Sequence, residues 1–73
     1  MNANQCRAAR GFKNWTMNVL AEKAGVSVSS VLRFERGIQS RVKAIPQMMR
    51  QTFEREGIIF LGDHGIDSVD NML

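Results

Sequence analysis

From residue 16 to residue 36 the chain reads TMNVLAEKAGVSVSSVLRFER, and its apolar positions recur at helical spacing on either side of a single glycine. Leu20, Ala21 and Ala24 lie before Gly25, and Val26, Val31 and Phe34 lie after it, so one apolar seam is predicted between two short helices. Thr16 has a hydroxyl that can accept a free amide of the first turn, which predicts a helix from there to about Ala24. Gly25 takes a left-handed conformation at little steric cost, so the chain reverses there, and Ser27 caps a second helix lasting to about Arg36. Gly37 closes it.

The same pattern predicts two further helices. Residues 5–13 place Cys6 and Ala9, with Phe12 or the stem of Lys13, against the bundle, after a flexible arm at 1–4. A longer helix runs from about Lys43 to Glu56, with Ile45, Met48, Met49 and Phe53 as its apolar face. Pro46 fits only the first turn of that helix, where its missing amide has no intrahelical duty. Trp15 is expected as a lid on the first two helices, with base stacking as the lesser reading. After Gly57 the pattern turns extended: IIFL at 58–61 and IDSV at 66–69 flank GDHG, which is turn chemistry. A hairpin of that size is marginal alone and exposes apolar side chains. Either it pairs with a second chain, making Ile58, Ile59, Phe60 and Leu61 a dimerisation element within 58–73, or Ile58 and Phe60 fold back on their own bundle.

Two helices crossing at about a right angle over a turn of about three or four residues form a helix-turn-helix, whose second member normally enters the major groove. The same αα-hairpin also occurs as scaffolding, so the neighbouring residues decide. RAARGF at 7–12, LAEKAGVSVSSVLRFERG at 20–37 and the segment ending FEREGIIF at 53–60 resemble the lambda-repressor-like, Cro/C1-type (XRE) helix-turn-helix family. The resemblance extends from Cys6 to Phe60, about three quarters of the chain. It implies a mainly α single domain, a bundle of four to five helices at 5–57 with a short C-terminal extended or β segment.

The resemblance also implies roles for particular residues. Base-facing positions are Val28, Ser29 and Arg33, flanked by Leu32, and an arginine at Arg10 pairs with Glu35 in a largely buried ion pair. A guanidinium at Arg33 can donate two parallel bonds to guanine, and Val28 and Leu32 can meet thymine methyls. Ser27, Ser30, Arg36, Arg41 and Lys43 are expected at phosphates. The chain departs from the family at Met17, where many members carry a glutamine that braces the recognition helix, and in the low polarity of Val28 and Leu32.

Charge sharpens this picture. The net charge is +3, yet residues 1–62 hold all ten basic side chains and only four acidic ones, because Asp63, Asp67 and Asp70 gather in the tail. A basic body suits a polyanion, and Arg33, Arg36, Arg41 and Lys43 cluster around the second motif helix and its following loop. One histidine, one cysteine and no tyrosine offer no nucleophile and base pair, and no metal-spaced cluster occurs, so neither an enzyme nor a cofactor is expected. His64 reads as a solvated turn residue and Cys6 as a small buried hydrophobe. No apolar run spans a bilayer and the start lacks a signal-peptide core, so a cytoplasmic protein is expected.

The expected function is a sequence-specific transcriptional regulator, a repressor or activator of a bacterium or mobile element, that binds an inverted-repeat operator on double-stranded DNA as a homodimer. RNA polymerase or a regulatory protein is a further expected partner. The alternative is a helix-turn-helix module that binds a protein, as an antiactivator or antitoxin-like partner does.

Overall fold

We describe a computed structural model of the chain over residues 1–69; Asp70 and the end of the expected 58–73 element lie outside the described residues. Four helices, α1 (Ala3–Lys13), α2 (Met17–Ala24), α3 (Val28–Glu35) and α4 (Ala44–Arg55), are followed by strands β1 (Ile58–Phe60) and β2 (Ile66–Ser68). The motif helices begin and end where their caps dictate. Thr16 Oγ1 accepts the amide of Val19, Ser27 Oγ accepts that of Ser30, and Gly25 makes the intervening turn at φ 73°. Any side chain at Gly25 would be strained in that left-handed conformation.

The first helix starts earlier than its apolar pattern implies. Asn2 and Gln5 form a reciprocal capping box, so the expected flexible arm at 1–4 is instead a cap and the first turn of α1. Gln5, Cys6 and Ala9 form its buried stripe, and the helical period carries that stripe to Lys13, which is partly buried, and past Phe12, which is 52 % exposed. On α4 the buried face is Met49, Thr52 and Phe53, with Ile45 packed alongside. Met48 lies about 100° around the helix from Met49, off the buried stripe, and is exposed. Thr52 is tolerated inside because its hydroxyl donates to the Met48 carbonyl at 2.9 Å.

The core joins Cys6 and Ala9 of α1, Leu20, Ala21 and Ala24 of α2, Val31 of α3, and Met49 and Phe53 of α4 to Ile58 of β1. Small side chains on α1 and α2 let the helices approach closely around the larger ones. Trp15 stacks on Phe53, with centroids 5.5 Å apart and planes at 17°, so it packs on α4 as well as lying beside Lys23 of α2. Phe60 meets the other side of this cluster, edge-on to Phe53 at 6.1 Å. A cation closes each end: Lys23 Nζ lies 5.2 Å from the Trp15 centroid and the Arg50 guanidinium 5.3 Å from that of Phe60.

The strands pair antiparallel, with Ile58 opposite Ser68, Ile59 opposite Asp67 and Phe60 opposite Ile66. Alternation therefore sorts the expected dimerisation residues into two sets. Ile58 is buried in the core of its own chain, and Phe60 and Ile66 pack against that core, which corrects the assignment of Ile58 and Phe60 to a second chain. Ile59 and Leu61 are on the opposite face with Asp67 and Val69, and Leu61 and Val69 are each 48 % exposed. No helix among the described residues is long and apolar enough to cross a membrane.

A single ion pair fixes how α1 meets α3. Arg10 grips Glu35 with both arms, Nε to Oε2 at 2.6 Å and an Nη to Oε1 at 2.7 Å. The Cys6 thiol donates to Oε2 at 3.3 Å, while Arg7 donates to the Glu35 carbonyl and to the Asn4 side chain. Burial pushes the Glu35 carboxyl upward, but the bonds from Arg10 and Cys6 and the charges of Arg10 and Arg7 outweigh it and hold the group below its usual value. Burial, reinforced by the neighbouring carboxylate, pushes the Cys6 thiol far up, so it stays protonated as a donor.

Removing the Arg10 side chain strands that carboxylate, and Arg10→Met should lower stability by about 3 kcal/mol in urea denaturation at neutral pH. Because the folded-state pKa of Glu35 is depressed, its contribution is complete above the unfolded value of about 4.3 and disappears as pH falls through the folded value. Glu35→Gln should therefore lose less stability than the parent chain when denaturation is repeated across that acid range.

Candidate nucleic-acid interface

The recognition-helix candidate α3 divides its residues by face. Val31, Phe34 and Glu35 turn inward, the first and last of them fully engaged with α1 and α2. Val28, Ser29, Arg33 and Arg36 are exposed. Val28, at 43 % exposure, is an apolar side chain presented to solvent at the first turn, beside the polar Ser29. Leu32 is only partly exposed, so less of it is available at this surface than the pattern implies.

The two serines assigned to phosphate contact have a prior structural duty. Ser27 Oγ accepts the Ser30 amide at 3.1 Å and shares a hydrogen bond with Ser30 Oγ at 2.9 Å. Ser27 is nonetheless exposed, and its position at the start of α3 places it beside unpaired first-turn amides, where an anion is favoured.

The basic residues do not share one site. Arg33 and Arg41 line a cleft of about 360 Å³ between α3 and the loop to α4, with Ser30, Ile38, Gln39 and Val42 completing its walls. Lys43 opens instead onto an adjoining cleft of about 330 Å³, bounded by Met1, Ile38 and Pro46. Arg36 is exposed at the end of α3 and lines neither cleft. The loop between them is shaped by Ser40, whose hydroxyl donates to the Val42 carbonyl at 2.9 Å and accepts its amide at 3.2 Å.

Gln39 and Ile38 belong to this surface although their residue types carried no signal for it; the fold of the loop brings them beside Arg33. Met17, at the position where a brace for the recognition helix is expected, is partly buried against the core. Its thioether offers no donor to α3 or to a phosphate. The surface consequently consists of a short exposed face of α3, Val28, Ser29 and Arg33, next to a two-cleft loop lined by Arg41 and Lys43.

Local order at this face rests on the Ser27 cap. Ser27→Ala should cost about 1 kcal/mol, seen as a lower urea midpoint with an unchanged slope, because one first-turn amide loses its acceptor.

Comparison with known proteins agrees with this geometry. The profile of a helix-turn-helix family matches residues 7–44, just over half of the chain, from the α1 arginines through both motif helices to the start of α4. No curated protein matches the chain. With both motif helices, their caps and the glycine turn inside the matched span, the chain belongs to the Cro/C1-type helix-turn-helix family of DNA-binding proteins.

Proposed function

We propose that this protein is a sequence-specific transcriptional regulator that reads an inverted-repeat operator as a homodimer, with α3 in the major groove. The observation that carries the reading is the division of α3. Its inner face is locked to the bundle through Val31 and Glu35, leaving Val28, Ser29 and Arg33 exposed on a rigid helix. A reading helix needs this arrangement, because base discrimination requires side chains held in one orientation.

Arg33 donates to a guanine edge, and Val28 contacts a thymine methyl in the same groove. Arg41 and Lys43, on opposite sides of the loop, hold phosphates and set the register. Dimerisation is supported by the outward apolar side chains of the hairpin, Leu61 and Val69. A single module of this size reads too few base pairs to select one genomic site, and two-fold pairing doubles the site. The partner-binding alternative draws on the apolar character of Val28 and on Met17; a protein surface at α3 would use Val28 and Leu32 as its contacts.

Selection from a random duplex library at near-physiological salt should enrich an inverted repeat with half-sites about one helical turn apart. Arg33→Ala should stay folded and lose about 1–3 kcal/mol of discrimination at one base pair per half-site. Lys43→Ala should weaken binding to every sequence and reduce the dependence of log K on log salt by about one. No enrichment by folded protein, together with capture of a regulatory protein that Val28→Ser abolishes, would replace this reading by the partner-binding one.

A further inference from the structure

Helix α1 is hydrogen-bonded at its start to the hairpin and, from the next residue to about one and a half turns later, to α3. At its start, Gln5 is 2 % exposed and its side-chain amide is fully used. Nε2 donates to the carbonyls of Gly62 at 2.8 Å and Gly65 at 3.1 Å, while Oε1 accepts the Asn2 amide at 2.9 Å. Asn2 Nδ2 adds a bond to the Asp63 carbonyl at 3.1 Å. The loop between β1 and β2 is thus held by three directional bonds from the first turn of α1. On the same helix, Cys6, Arg7 and Arg10 hold Glu35 at the end of α3. From Gln5 to Arg10 is about 7.5 Å along the axis, so a single stiff segment spans both attachments.

The other contacts of the hairpin with the bundle are of a different kind. Ile58 and Ile66 pack by apolar burial, and Phe60 adds an edge-on contact with Phe53 and a cation contact with Arg50, which hold the strands against α1 and α4. The bonds from Gln5 and Asn2 pin the loop end of the hairpin, which those contacts do not reach, to the start of α1.

We propose that Gln5 is a positioning residue for two-site operator recognition: by clasping the hairpin loop to α1 it fixes the outward face of the hairpin relative to α3, and so the separation and twist of the two recognition helices in the dimer. This rests on the reading of the hairpin as the dimer interface. DNA makes the consequence measurable. Half-sites one turn apart rotate by about 35° for each base pair inserted between them, so a stiff connection accepts one spacing and a loose one accepts several.

Gln5→Glu is the discriminating substitution. It keeps the oxygen that accepts the Asn2 amide, and so the helix cap, but sets a carboxylate oxygen against the Gly62 and Gly65 carbonyls in place of a donor. Binding would be measured to inverted repeats whose spacers differ by one base pair either way, and to a duplex carrying one half-site. The parent chain should prefer one spacing by about tenfold or more; Gln5→Glu should bind the single half-site within about twofold of the parent yet discriminate spacings by less than about threefold.

A Gln5→Glu protein that retains the full spacing preference overturns the proposal, and so does one that loses single-site and two-site binding in equal proportion, since that is a purely structural effect. A parent chain indifferent to spacing removes the dimeric reading as well, which separates the two failures. Should Gln5→Glu not unfold cooperatively, a variant combining Asn2→Asp with Gln5→Met decides in its place. Asn2→Asp keeps the cap acceptor for the residue-5 amide but removes only the Asp63 bond, so it is combined with Gln5→Met, which deletes both Gln5 bonds to the loop without burying a charge. Unchanged spacing preference in that double variant overturns the proposal.

Discussion

A buried carboxylate on the recognition helix organises this domain. Glu35 lies on the inner face of α3, where isolated charge is costly, and the chain meets that cost with a two-armed guanidinium from Arg10 and a thiol donor from Cys6. The value of such a pair is geometric more than energetic. Desolvation offsets most of its attraction, but the planar fork accepts one orientation of the carboxylate and therefore one rotation of α3 about its axis. That rotation decides that Arg33 is turned outward and Val31 inward, and the reading face follows from it.

Around this pair the core is small and built from few large side chains. Alanines at 9, 21 and 24 and Cys6 let three helices close on Leu20 and Val31, while Phe53 supplies most of the bulk beneath α4. A domain of 73 residues buries a limited share of its surface, so each further contact matters. The cluster of Trp15, Phe53 and Phe60 extends the core to the hairpin and ties the segment before α2 to the strand after α4. In this way the hairpin, marginal as an isolated pair of three-residue strands, becomes part of the bundle.

The surface opposite the core is organised by electrostatics and by what is absent from α2. Met17 is packed inward and offers no donor at its position on α2, while Arg41 and Lys43 line the two clefts of the loop that follows α3. Asp63 and Asp67 lie in and after the hairpin turn, where Asn2 at the start of α1 donates to the Asp63 carbonyl. The charge division along the chain is not a complete division in space, since the Arg50 guanidinium lies over Phe60 of the hairpin.

Sequence by itself determined the elements and the motif. Thr16, Gly25 and Ser27 act through bonds and backbone conformations within a few residues, so the boundaries of α2 and α3 and the turn between them were legible, as was the family carried by that spacing. Periodicity also indicated the apolar faces, although Met48 and Phe12 lay at the margins of their stripes, where a helical pattern does not separate buried from exposed. Asn2 and Gln5 form a capping signature that is local to the residues but apart from the apolar period, and it starts α1 earlier than that period alone implies. Tertiary structure alone decided that the Gln5 amide and the Cys6 donor would join the enclosed polar groups and which face of the hairpin would be free. The Gln5 amide reaches a carbonyl 57 residues away, and Cys6 reaches Glu35 across 29. Ile58 and Phe60 are drawn inward by Phe53 while Leu61 is not. Such outcomes depend on where separate segments converge, and no local pattern of residue types encodes that convergence.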